Sequence, residues 1–214
     1  MATEEIREHF INSLRHFATS ASQIQVLWSE AEAHYSSPDR QYHTLAHLNH
    51  LISELVPLRN HFANWDTVVL ATAYHDIVYN IHHKDNEEQS ARFAGSRLEG
   101  ISFPSEQIEH CKKMILATRT HEQDKDEEIN LFTDADLSIL GTQDQTYREY
   151  SEQIRGEYSS YTDLEFQNGR KRVLQHFLNM NRIFKTNYFF DAYEQSARIN
   201  LKLELASLNQ RSAK

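Results

Sequence analysis

Apolar residues recur along this chain at helical spacing, and no stretch shows the alternate-residue rhythm of a strand. A first helix is predicted from Glu5 to Ala18 and a second from Ser22 to Tyr35. Ser36-Ser37-Pro38-Asp39 then breaks the pattern. A third helix places Leu45, Leu48, Leu51, Ile52 and Leu55 at core spacing and ends near Pro57. The fourth, Asp66 to Ile81, holds Val68, Val69, Leu70, Ala71, Ala73, Tyr74, Ile77, Val78 and Tyr79. It is apolar nearly all round, which marks a buried central helix. Asp85 with Glu88 three positions on reads as a cap for a fifth helix running to Glu99. Pro104 suits the first turn of a sixth, which runs to Arg119. His121 to Glu128 reads as a charged loop. Thr133, Thr142 and Thr162 are candidate caps for later helices, the last two with Gln145 and Glu165 at the capping-box position. A final helix, Phe189 to Leu208, lines up Tyr193, Ala197, Leu201, Leu205 and Leu208. The expected class is all-α.

Composition narrows this further. With only 5 Gly and 3 Pro in 214 residues, the chain lacks the tight turns that sandwiches and barrels need. No internal repeat or Gly/Pro/Ser-rich linker appears, so residues 1–214 read as a single domain. The net charge of −9, without a basic block, leaves no footprint for duplex nucleic acid. Cys111 stands alone, which fits a reducing compartment. The first residues carry Glu4, Glu5, Arg7 and Glu8 rather than the apolar run of a signal peptide. The longest apolar stretch, near Val68 to Tyr74, is too short to span a bilayer. The expectation is a cytoplasmic protein with no membrane partner, and a homodimer suits a small helical chain of this kind.

Three groups of residues bear chemistry. His75-Asp76 falls within the most apolar segment, where an uncompensated carboxylate would cost several kcal/mol, roughly the stability margin of a domain. A salt bridge, a capped backbone group or a metal ion would each compensate it. His43, His47 and His50 follow at i, i+4 and i+7, so they share one helical face. That face is either a polar seam between helices or a pair of metal ligands. Asp134 and Asp136 lie near Thr133. They serve as acidic residues of a helix N-terminus, or one of them turns inward to a cation.

The order His47, His75-Asp76, Asp136 resembles the signature of the HD superfamily of metal-dependent phosphohydrolases. Longer segments resemble one branch of it, the predicted metal-dependent HD phosphohydrolases. They are Arg40-Gln41-Tyr42-His43-Thr44-Leu45-Ala46-His47, His75-Asp76-Ile77-Val78-Tyr79, Asp85-Asn86-Glu87, Asp134-Ala135-Asp136-Leu137-Ser138-Ile139-Leu140-Gly141, Arg155-Gly156-Glu157-Tyr158 and Ala197-Arg198-Ile199-Asn200. The resemblance covers roughly residues 40–200. It implies a single compact HD-domain helical bundle with extra N- and C-terminal helices. His47, rather than His43, together with His75, Asp76 and Asp136, would ligate the metal, and Asp134 would cap or support. Asn80 departs from the Asp expected in this branch.

Two imidazoles and two carboxylates suit a divalent ion, and Mn, Mg, Fe, Co, Ni and Zn are all compatible with them. The function this implies is hydrolysis of a nucleotide or other small phosphate ester, with Asp76 also orienting the nucleophile. Among Arg40, Lys84, Arg119, Arg155 and Arg198, the best placed to hold phosphate are Arg40 and Arg155, which lie in family-like segments. His110 and His121, with His43, His82, His83 and Glu87, are candidates for a second metal. Two rival readings remain: a di-iron HD-type oxygenase, and a non-catalytic module that binds metal or nucleotide for regulation.

Overall fold

The computed structural model describes residues 4–15, 17 and 20–211, whose regular structure is entirely helical. The α-helices are α1 (Glu4–Leu14), α2 (Ala21–Tyr35), α3 (Leu45–Leu55), α4 (Trp65–Tyr74), α5 (Asn86–Glu99), α6 (Ser105–Ala117), α7 (Glu127–Leu137), α8 (Asp144–Glu157), α9 (Asp163–Asn179) and α10 (Asn187–Arg211). Short 3-10 turns cover Val56–His61 and Ser138–Gly141. The chain forms two compact units, one ending at Thr133 and the other starting at Asp134, so the division falls inside α7. Among the described residues no helix is long and apolar enough to cross a membrane.

In the first unit α4 is central, packed by α1, α3, α5 and α6. Every residue of α4 except Asp66 is buried, as its apolar circumference predicts. Each large apolar side chain so buried contributes about 1.5–3 kcal/mol. Asn64 starts the helix, its Oδ1 accepting from the Thr67 amide at 2.8 Å.

The helix stops at Tyr74 rather than at the expected Ile81. His75 still has helical angles (φ −61°, ψ −37°), and the Ile77 amide closes a tighter turn on the Tyr74 carbonyl at 3.2 Å. Beyond it, both backbone groups of Val78 bond to Ser90 and both of Asn80 bond to Asn86. Side chains of α5 thus replace the helical ladder. Apolar composition alone does not distinguish these two ways of satisfying a buried backbone.

Other boundaries also move. α1 ends at Leu14, and the expected end at Ala18 lies outside the described residues. Thr44 caps α3 by accepting from the Ala46 amide, which leaves His43 ahead of the helix. Thr133 caps nothing: it lies within α7, its hydroxyl donating to the Ile129 carbonyl at 2.9 Å. Asp126, accepting from the Glu128 amide at 3.0 Å, serves that helix start instead. Gln143, not Thr142, occupies the cap position of α8, and Thr142 donates back to Ile139. Asp85 sits at the cap position of α5 without a side-chain cap bond, its Oδ1 taken by Gln89. Pro104 lies one place ahead of α6. At Thr162 the capping box forms as expected with Glu165.

In the second unit α10 packs on α9 and on the Ser138–Gly141 turn. Gly141 is required there, because a Cβ would fall 2.6 Å from the Tyr193 Cβ and 2.7 Å from its carbonyl oxygen. Phe184, Phe189, Ala197 and Leu201 of this unit are fully buried.

Candidate metal centre

The early end of α4 sets the site. His75 occupies the C-cap, so its side chain retains the direction of the helix while Asp76 is released from it. The 100° offset between helical neighbours therefore does not separate the doublet. His75 Nε2 lies 3.1 Å from Asp76 Oδ2.

α3 supplies His47, whose Nε2 lies 3.1 Å from His75 Nε2 and 3.8 Å from Asp76 Oδ2. His43, just before the same helix, places Nε2 at 3.9 Å from that oxygen. His47 and His75 are 4% and 1% exposed, while the Asp76 side chain keeps 18% of its surface. The cluster therefore has a sealed imidazole floor and a carboxylate that reaches solvent.

The tautomer of His75 follows from its surroundings. Nδ1 lies 2.9 Å from the Thr72 carbonyl, which can only accept, so Nδ1 carries a proton. In the neutral ring Nε2 is then the nitrogen that can ligate, whereas the protonated ring donates from it to Asp76 Oδ2 at 3.1 Å; it also lies 3.1 Å from the His47 nitrogen. A backbone carbonyl fixing one ring nitrogen so that the other is free to ligate is the usual arrangement of a metal-bound histidine. A proton on Nε2 can serve one neighbour at a time, whereas a divalent ion can meet them all.

α7 carries the fourth candidate. Phe132 on that helix sets its ring edge-on to His75, with centroids 6.2 Å apart. One turn later, half-buried Asp136 offers an oxygen within 4.8 Å of a ligand atom from each of His47 and His75. Ligand atoms about 2.1 Å from an ion are about 3–4 Å from one another. The His47, His75 and Asp136 set could therefore hold a metal ion, and Asp76 borders it at ligand-to-ligand distance from both histidines.

Burial by itself would raise the pKa of Asp76. The charge of His75 and its hydrogen bond, with His43 and His47 adding, more than offset this and hold the carboxyl well below the usual carboxylate range. Glu87, at the start of α5, is raised by burial and then by the charge of Asp76.

The remaining candidates are occupied elsewhere. Asp134 is fully buried and accepts from the Lys185 and Thr186 amides, the Thr186 hydroxyl and Lys185 Nζ, the last at 2.8 Å. Two helical steps place it about 200° from Asp136, so the two acids serve different purposes. Arg40, expected at phosphate, donates to the carbonyls of His43, Asp76 and Ile77. Arg155 is in the second unit and donates to the Tyr158 and Tyr161 carbonyls and to Asp163. Arg198 bonds Glu194 and the carbonyls of Leu178, Met180 and Asn181 that end α9. Arg119 pairs with Glu88. His110 pairs with Asp126 at 3.1 Å and lies 3.9 Å from Glu128, while His82 and His83 are exposed.

Sequence reasoning missed the Thr72 carbonyl and the Tyr35 hydroxyl, which accepts from the Asp76 amide at 3.2 Å. The i−3 position of Thr72 on the preceding helix was the available signal for the first. Nothing local points to the second, 41 residues away.

Searches against protein-family models, curated proteins and solved structures gave no match.

Proposed function

We propose that this chain is an HD-type, metal-dependent phosphohydrolase acting on a nucleotide or another small phosphate ester. The observation that carries the proposal is the convergence of electron-rich atoms: His75 Nε2, with its tautomer set by Thr72, against His47 Nε2 and Asp76 Oδ2 at 3.1 Å each. His47, His75, Asp76 and Asp136 would hold the ion. A divalent cation in such a donor set supplies Lewis acidity, polarising a phosphoryl oxygen and acidifying water.

The chain's own part follows from burial and charge. His47 and His75 exclude water from the floor. Asp76 is the partly exposed carboxylate, is held ionised, and orients the attacking water by accepting its hydrogen bond. Arg40 acts on this site through the Asp76 and Ile77 carbonyls.

The test is turnover of a panel of phosphate esters and nucleotides with added Mn²⁺ or Co²⁺. Phosphate release that depends on metal and falls at least about 100-fold in Asp76→Ala is expected. Undiminished release in that variant would overturn the site. Tight nucleotide binding without turnover under every metal would point to a regulatory module. Oxygen consumption by a protein carrying two irons would point to an oxygenase.

A further inference from the structure

The segment that follows His75 belongs to no helix and no strand. A buried backbone without a ladder needs other partners. Here they come from side chains. The Asp76 amide donates to the Tyr35 hydroxyl at 3.2 Å. Arg40 donates to the Asp76 carbonyl at 2.7 Å and to the Ile77 carbonyl at 3.0 Å. The Ser90 hydroxyl accepts from the Val78 amide at 3.1 Å and donates to the Val78 carbonyl at 3.2 Å. The Asn86 side-chain amide does the same for Asn80, accepting at 3.1 Å and donating at 3.0 Å.

Asn86 and Ser90 are four residues apart on α5, so one face of that helix grips alternate residues of the segment. Arg40 grips from the other side. It is 8% exposed and lies between the rings of Tyr35 and Tyr79, at 4.7 and 5.5 Å from their centroids. The guanidinium also donates to the His43 carbonyl at 3.1 Å. One side chain therefore ties the entrance of α3, which carries His47, to the backbone of the His75-Asp76 doublet.

A stability role alone would be served by continuing α4 through this segment. The clamp instead holds Asp76 out of the helix, in the direction that brings its carboxylate to the imidazoles. We propose that Arg40, Asn86 and Ser90 are positioning residues, which fix the spacing of the metal donors by holding the backbone of residues 76–80. This rests on the metal reading of the cluster. Donor atoms must be held to within about 0.5 Å, so loosening their support is felt first in affinity and geometry.

Co²⁺ is the probe, because its visible band reports coordination geometry as well as binding. The full-length chain is titrated as wild type, Asn86→Ala, Ser90→Ala and Arg40→Lys, with Thr162→Ala as a control that removes a cap in the other unit. Lys keeps the charge of Arg40 but has one nitrogen in place of the planar fork whose two nitrogens reach the three carbonyls. The clamp variants should raise the Co²⁺ Kd about 10-fold or more and alter the band. Their metal-free melting temperatures should fall no further than that of Thr162→Ala, whose Co²⁺ affinity should equal that of wild type. If one variant fails to fold, the other two decide. Wild-type affinity and an unchanged band in the folded variants would overturn the positioning role and leave the metal site standing. Absence of Co²⁺ binding by the wild type, matching His75→Ala, would instead remove the metal reading and the positioning role with it.

Discussion

Two polar clusters, one in each unit, follow opposite rules. In the second unit both oxygens of Glu204 are fully used. Oε1 accepts from Arg170 Nε at 2.8 Å and Ser151 at 3.1 Å, and Oε2 from Arg170 Nη2 at 3.0 Å and the Tyr147 hydroxyl at 2.5 Å. Arg170 adds a bond to the Tyr150 hydroxyl at 3.2 Å. Every acceptor there meets a donor, and the charges cancel. In the first unit His47, His75 and Asp76 bring two ring nitrogens and a carboxylate oxygen to 3.1–3.8 Å from one another, atoms that can each ligate a metal. The closed network holds a fold together. The histidine-rich one could hold a cation.

The sharpest way to break this contrast is to remove one partner from each cluster. Glu204→Ala leaves Arg170 buried without its carboxylate and should cost about 3–5 kcal/mol in urea denaturation. The same network predicts a pH effect. Burial raises the Glu204 pKa, but the bonds from Arg170, Tyr147 and Ser151 lower it overall. Its contribution is therefore present above the unfolded pKa of about 4.3 and is lost as pH falls through the lower folded value. Glu204→Gln should lack this acid-side slope, which denaturation between pH 2 and pH 5 would show.

The first unit should respond to metal instead. Mn²⁺ at about 100 times its Kd should stabilise the wild type by about 2.7 kcal/mol, and it should leave His75→Ala unchanged in the same thermal scan. Gly141→Ala separates packing from charge in the second unit. Its Cβ would meet the Tyr193 backbone, so a loss of about 1–3 kcal/mol is expected, with Mn²⁺ affinity unaltered. The smallest effect should be that of Asp76→Asn in metal-free protein at pH 8. Asn keeps the shape of the side chain and one acceptor oxygen for His75, so stability should change by less than about 1 kcal/mol. A loss as large as that of Glu204→Ala would erase the distinction between the two clusters.

The all-helical class and the central α4 were legible because apolar spacing reports which face is buried, whatever the neighbours are. The end of α4 was not. Ile77, Val78 and Tyr79 are as apolar as the helix before them, and only Ser90 and Asn86 on a later helix show that their backbone is bonded otherwise. His47, His75 and Asp136 were nameable from their order along the chain, and their ligand atoms do converge. The bonding of the arginines was not legible, for a physical reason. A guanidinium suits carbonyl oxygens as well as phosphate, and Arg40 and Arg155 both use theirs on the backbone. The same limit applies to Asp134 and Asp136. Either could have faced a cation by sequence, and only the position of Lys185 and Thr186 assigns Asp134 to structure.

The central claim is that the cluster around His75 binds a divalent cation, and elemental analysis after equilibration with Mn²⁺ tests it most directly. Wild-type protein should retain the metal through gel filtration, while His75→Ala and Asp136→Ala, folded by circular dichroism, should lose it. Equal metal content in all three proteins would contradict the assignment.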